Sequence, residues 1–142
     1  MDENTGPTSR PALAYSTAAL AEITTAAFEG YVVPLGFSAE SFDARFRRET
    51  LDRTASRVLL DGDRPVAVVL VARRGWTARV AAMGVVRERR GRGLGADVLQ
   101  DVVADLRRSC VRRLLLEVIT SNEPALRLYR RLGFRDHRTL VG

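Results

Sequence analysis

Residues 85–95 read Val85-Val86-Arg87-Glu88-Arg89-Arg90-Gly91-Arg92-Gly93-Leu94-Gly95. They join an apolar, β-branched run to a segment of helical period. Three alternate glycines let backbone approach a ligand without side-chain clash. The helix that follows turns free N–H groups and the positive end of its dipole toward the same point. The combination suits a pyrophosphate. Arg87, Arg89, Arg90 and Arg92 add positive charge, and guanidinium groups pair well with phosphate. A glycine-rich turn carrying a solvated basic run is the plain structural alternative.

Outward from this turn, the pattern predicts a single layered domain. Upstream, Arg57–Leu60, Pro65–Arg73 and Trp76–Val86 are apolar and β-branched, divided by Asp61-Gly62-Asp63 and Arg74-Gly75. Such spacing predicts an antiparallel meander of three strands. Further upstream, Ser16 or Thr17 can cap a helix to about Phe28, and Ser38 a second to about Leu51. Gly30–Gly36 separates them, and Ala12–Tyr15 is a candidate edge strand. Downstream, Leu94–Arg108 repeats apolar residues every fourth position. Leu114–Ile119 suits a buried strand. Pro124–Leu132 is helical, closed by Gly133, and Phe134–Val141 is a weaker strand. The expected fold is α/β (α+β), with order β-α-α-β-β-β-α-β-α-β. A mixed, mostly antiparallel sheet of about six strands is flanked by about four helices. Residues 1–10, polar with Gly and Pro, are expected to be a disordered leader, and 11–142 one domain.

Composition narrows the function. The net charge is +6 and all 23 basic residues are arginine. Such charge attracts polyanions, either nucleic acid or a phosphorylated cofactor; compositional bias toward Ala, Arg and Gly is the alternative source. One cysteine, Cys110, and one histidine, His137, argue against a disulfide framework or a Cys- or His-rich metal site. No metal and no catalytic role for either residue is expected. No apolar run reaches the about 18 residues of a membrane span, and residues 1–11 lack a signal-peptide core, so a cytoplasmic location is expected.

Three phosphate-binding turns compete. A Walker loop needs Gly-Lys, and the chain has no lysine. A dinucleotide fingerprint matches Gly91-x-Gly93-x-x-Ala96, with Glu117 further on; it requires its first glycine at the strand end, yet Gly91 lies well past Val86. The third is Arg90-x-x-Gly93-x-Gly95 following a strand. It resembles the pyrophosphate loop of the Gcn5-related N-acetyltransferase (GNAT) family. Asn122-x-x-Ala125-x-x-Leu128-Tyr129-x-x-x-Gly133-Phe134 is similar to the second conserved block of that family, in the correct order. The likeness covers about residues 57–140, and the upstream part only in outline.

The resemblance implies acetyl-CoA as cosubstrate. Its pyrophosphate would rest on the backbone of Arg90, Gly91, Arg92, Gly93, Leu94, Gly95 and Ala96. Its pantetheine arm would pair with Met83–Val85, where a backbone N–H would polarise the thioester carbonyl. Asn122 matches the residue that hydrogen-bonds that arm, and it can also cap the helix beginning near Pro124. Tyr129 matches the general acid, a phenol able to protonate the departing thiolate. Glu117 precedes Tyr129 by a spacing similar to that of ribosomal-protein N-terminal alanine acetyltransferases, where the Glu is the base. A carboxylate within Leu114–Val118 would also be costly without a partner; pairing with Arg112 or Arg113 is the competing explanation. Glu29, beside Phe28 and Tyr31, is the rival base or acceptor anchor.

The implied reaction moves acetyl directly to a primary amine in a ternary complex, the acceptor being a small molecule or a peptide N-terminus. No nucleic-acid or membrane partner is expected. The family's seventh strand is expected to be missing, and an open sheet edge would favour a homodimer. Two other readings stand beside this one: an acyl-CoA-binding or sensory domain without catalysis, and a basic nucleic-acid-binding module.

Overall fold

Leu59 and Val69 face one side of the sheet while Val58, Val68 and Leu70 face the other, and this alternation organises the protein. A computed structural model describes residues 6–30, 36–118 and 122–137. Five strands lie in the order β1 (Thr8–Pro11), β2 (Arg57–Asp61), β3 (Arg64–Arg74), β4 (Thr77–Val85) and β5 (Arg113–Leu115). The first four are antiparallel neighbours, and β5 runs parallel to β4. Helices α1 (Thr17–Ala27) and α2 (Ala39–Arg48) cover one face. Helices α3 (Leu94–Arg108) and α4 (Glu123–Arg131) cover the other. Residues Val66–Val71 of β3 are buried throughout because both faces are covered. Each valine and Leu70 in this run contributes about 1.5–3 kcal/mol of burial before entropy is counted.

The helices start where side chains supply acceptors to their orphan amides. Ser16 accepts from the Ala19 N–H, and Ser38 forms a reciprocal capping box with Ser41. Gly133, at φ 99°, follows the end of α4. Two β-bulges phase the sheet. In β3, Leu59 pairs with Ala67 and Leu60 with Pro65, so Val66 is the extra residue and the proline sits at an irregularity. In β4, Leu70 pairs with Ala82 and Val71 with Val80, leaving Ala81 extra. A bulge reverses which face later side chains meet. Val80 therefore packs on the α3/α4 side, Ala81 and Ala82 on the α1/α2 side, and Met83 and Val85 on the α3/α4 side again.

Several sequence expectations are corrected. The first strand is Thr8–Pro11, and Ala12–Ala14 forms a 3-10 turn. The leader expected over residues 1–10 therefore gives Thr8 to Arg10 to the sheet, and residues 1–5 lie outside the described ones. A polar segment pairs here because β2 supplies its ladder partners, from Thr8 opposite Leu60 to Pro11 opposite Arg57. Helix α2 ends at Arg48, before Thr50 takes a positive φ of 60°. Strand β5 covers Arg113–Leu115 rather than Leu114–Ile119; residue 119 lies outside the described residues. Residues 134–137 have no regular structure, and residues 138–142 of the expected last strand also lie outside. The described sheet thus has five strands, with the expected four helices.

Candidate active site

Strands β4 and β5 pair over only three positions, from Thr77 opposite Arg113 to Arg79 opposite Leu115. Past Arg79, β4 continues to Val85 against β3 alone. The two parallel strands therefore part, and β5 gives β4 no ladder partner beyond Arg79. Arg79 braces the point of parting. Its Nη2 donates to Glu49 Oε1 at 2.7 Å, and Arg45 Nε donates to Glu49 Oε2 at 3.2 Å. Burial raises the Glu49 pKa, but the hydrogen bonds from Arg79 and Arg45 outweigh it and hold the carboxyl below its ordinary range.

Tyr129 stands over the divergent part of β4. Its hydroxyl donates to the Met83 sulfur at 3.9 Å, and its ring meets Phe134 edge-on with centroids 5.9 Å apart. Tyr129, Met83, Val85, Leu94 and Phe134 all pack on the α3/α4 core. Val85 is half-buried, and its carbonyl accepts from Arg90 Nε at 2.8 Å.

The glycine turn follows. Gly91 and Gly93 have φ of 80° and 79°, in the left-handed region that glycine alone enters without cost. A Cβ on either would meet nothing within 4 Å, so the backbone lies open to approach. Gly93 is the N-cap of α3 and provides no side-chain acceptor. The first-turn N–H groups of Leu94, Gly95 and Ala96 thus lack an intrahelical partner and can donate to an anion. Gly95 packs toward Met83, whose Cε would lie 3.0 Å from an added Cβ.

The four arginines expected to supply charge divide into two pairs. Arg89 forms an ion pair with Asp61. The Arg90 guanidinium spans the carbonyls of Val85, Ala27 and Glu29. Arg87 and Arg92 are exposed and have no ion-pair partner among the described residues, so the side-chain charge open to phosphate narrows to them.

The remaining candidates are distributed around the cleft. Asn122 Oδ1 accepts from the Ala125 N–H at 3.3 Å, capping α4. Glu117 is exposed and lies beyond the end of β5. The argument from burial in an apolar strand therefore does not hold for it, because the strand stops at Leu115. It pairs with neither Arg112, which stacks 4.4 Å over the Trp76 ring, nor Arg113. Glu29 is exposed at the end of α1, and Tyr31 lies outside the described residues. Cys110 and His137 are exposed. No group of three or more His, Cys, Asp or Glu able to hold a metal occurs among the described residues. No described helix is long and apolar enough to cross a membrane.

Sequence reasoning missed Gly84. A Cβ there would lie 2.9 Å from the Ala27 carbonyl oxygen, so the absent side chain lets α1 rest on β4. A lone glycine inside the run Val80–Val86 was the available signal.

A parting of parallel strands, followed by a glycine turn into a helix with a tyrosine above, defines a site that can be compared with known proteins. The model of the acetyltransferase (GNAT) family matches residues 18–134. The chain belongs to the acetyltransferase (GNAT) family. As a GNAT protein it is an acyltransferase. Solved structures share its fold. The ribosomal-protein-S18-alanine N-acetyltransferase from Escherichia coli is 21% identical, with TM-score 0.75 over 94% of this chain and 80% of that one. Ard1 from Thermoplasma volcanium is 19% identical, with TM-score 0.76 over 93% and 84%. A GNAT acetyltransferase from Brucella melitensis, in complex with acetyl-CoA, is 21% identical, with TM-score 0.69 over 94% and 85%. No curated protein sequence matches this GNAT chain.

Proposed function

We propose that this GNAT protein transfers acetyl from acetyl-CoA directly to a primary amine within a ternary complex. The observation that carries the proposal is the juxtaposition of Tyr129 and Met83 beside the parting of β4 from β5. The residues fit the cosubstrate: the turn at Gly91 and Gly93 presents open backbone, and the first-turn amides of α3 lack a side-chain cap. Related folds support the same reading, one of them solved with acetyl-CoA.

In this reading the backbone from Arg90 to Ala96 holds the pyrophosphate, with Arg87 and Arg92 adding charge. The edge of β4 at Met83–Val85, past the parting from β5, holds the pantetheine arm. Acetyl-CoA, when bound, supplies the thioester acetyl group. Glu117 takes a proton from the acceptor ammonium, freeing the nitrogen lone pair. The C–N bond forms as the C–S bond breaks; the Tyr129 hydroxyl gives its proton to the departing thiolate, and the second proton lost by the nitrogen as it becomes the amide restores the phenol. A phenol keeps its proton at neutral pH and releases it to the sulfur as charge develops there. Glu29 anchors the cationic acceptor. The acceptor is a small amine or a peptide N-terminus, and the likeness to the S18-alanine enzyme favours the latter.

The test is calorimetric titration of the protein with acetyl-CoA, with CoA and NADH in parallel, followed by an amine and peptide screen. Micromolar acetyl-CoA affinity that is lost in Gly93→Glu, together with acetylated product, would support the reading. Binding of no CoA species would overturn it.

A further inference from the structure

Helix α1 ends without a basic residue in its last turn. The C-terminal carbonyls of a helix carry partial negative charge and need donors. The donor here comes from elsewhere. Arg90 Nη2 donates to the Ala27 carbonyl at 3.2 Å and to the Glu29 carbonyl at 2.6 Å. Its Nε donates to the Val85 carbonyl at 2.8 Å. One planar guanidinium thus joins the end of α1, the end of β4 and the start of the glycine turn. Only arginine presents several donors in such a fixed fork. Gly84 makes the reach possible, since any Cβ there would strike the Ala27 carbonyl and push α1 away.

We propose that the Arg90 side chain is a positioning residue that ties the acceptor segment at the end of α1 to the occupancy of the phosphate turn. This rests on the acetyl-CoA reading above. The Arg90 backbone begins the turn that would hold the pyrophosphate, while its side chain holds the backbone of Glu29, the candidate acceptor anchor. An anion seated on the turn holds the backbone at Gly91 and Gly93, and a ligand that orders one end of a link lowers the entropic cost of ordering the other. The Arg90 side chain serves the acceptor side and not the phosphate.

Hydrogen–deuterium exchange over residues 26–30, with and without saturating acetyl-CoA, tests this on the wild type, Arg90→Met and Arg90→Lys. In the free protein, Arg90→Met should exchange there about tenfold faster, the change that a lost charge-assisted hydrogen bond carries. Acetyl-CoA should slow exchange at 26–30 in the wild type but not in Arg90→Met. Arg90→Lys, with one compact donor group, should fall between the two; it carries the test if Arg90→Met does not fold. Unchanged exchange at 26–30 in the variants would overturn the proposal, as would a large loss of acetyl-CoA affinity without faster exchange. If the wild type binds no acetyl-CoA, the acetyltransferase reading and the coupling both fall; the free-protein comparison then still decides whether Arg90 holds α1.

Discussion

The Tyr129 hydroxyl lies 3.9 Å from the Met83 sulfur, across the gap that opens where β4 leaves β5. The two residues are 46 apart in sequence. They meet because the extra residue Ala81 turns Met83 toward the α3/α4 side. A thioether is a weak acceptor, so the hydroxyl proton is easily redirected to a stronger one. Replacing Tyr129 by Phe keeps the ring against Phe134 and removes only the hydroxyl. Acetyl transfer should fall about a hundredfold, within the range for a lost general acid. Thermal unfolding should shift little. Retained activity in steady-state assays would remove Tyr129 from the mechanism.

Gly84→Ala places a methyl group against backbone, 2.9 Å from the Ala27 oxygen. Backbone cannot rotate away as a side-chain tip can. The cost should be about 1–3 kcal/mol, as for other overpacked cores, read from urea unfolding. Because α1 must shift, Arg90 should also lose its grip on Glu29. A stability equal to wild type would show that α1 yields without cost.

Asp105 carries the clearest acid-sensitive contact. Burial raises its pKa, yet bonds from Arg57 and Arg108 outweigh it, so the folded value lies below the ordinary Asp value of 3.8. A depressed carboxylate contributes stability that is complete above its unfolded pKa. That contribution is lost as pH falls below 3.8 through the folded value. Asp105→Asn should cost about 1.5–3 kcal/mol at neutral pH, as for hydrogen bonds to charged groups. Its disadvantage should shrink in melts taken at successively lower pH below 4. A difference that stays constant across that range would show that the carboxylate charge is not what holds Arg57.

Asn122 caps α4 through its side-chain oxygen, and the resemblance of its motif to the family's second block also implies a contact with the pantetheine arm. Asn122→Asp keeps the cap acceptor but loses the amide donor. Asn122→Ala loses both, at about 1 kcal/mol of stability. If the residue serves the cosubstrate, both variants should weaken acetyl-CoA binding, while only Ala lowers stability. Wild-type affinity in Asn122→Asp would restrict the residue to its cap.

The parts legible in the sequence share one property: they depend on residues close in the chain. Ser16, Ser38 and Asn122 each accept from the N–H three positions later, and the turns at Gly62 and Gly75 divide strands that are apolar by themselves. The glycine turn and its helix were equally readable, and with them the family. Strand β1 was not, because its polar residues become a strand only through β2. The site behaved the same way. Which residues could bind phosphate followed from residues 85–95, but which arginines remain open to it did not. Arg89 is taken by Asp61 and Arg90 by carbonyls up to 63 residues away. Likewise Glu117 looked buried because its neighbours are apolar, and the early end of β5 exposed it. The sequence by itself determined the four helices, the central meander and the chemistry of the turn, since these arise from local periodicity, capping and backbone freedom. Only the tertiary structure decided that Tyr129 faces Met83 and that Arg90 grips α1, because both follow from a bulge and a close approach that bring distant segments together.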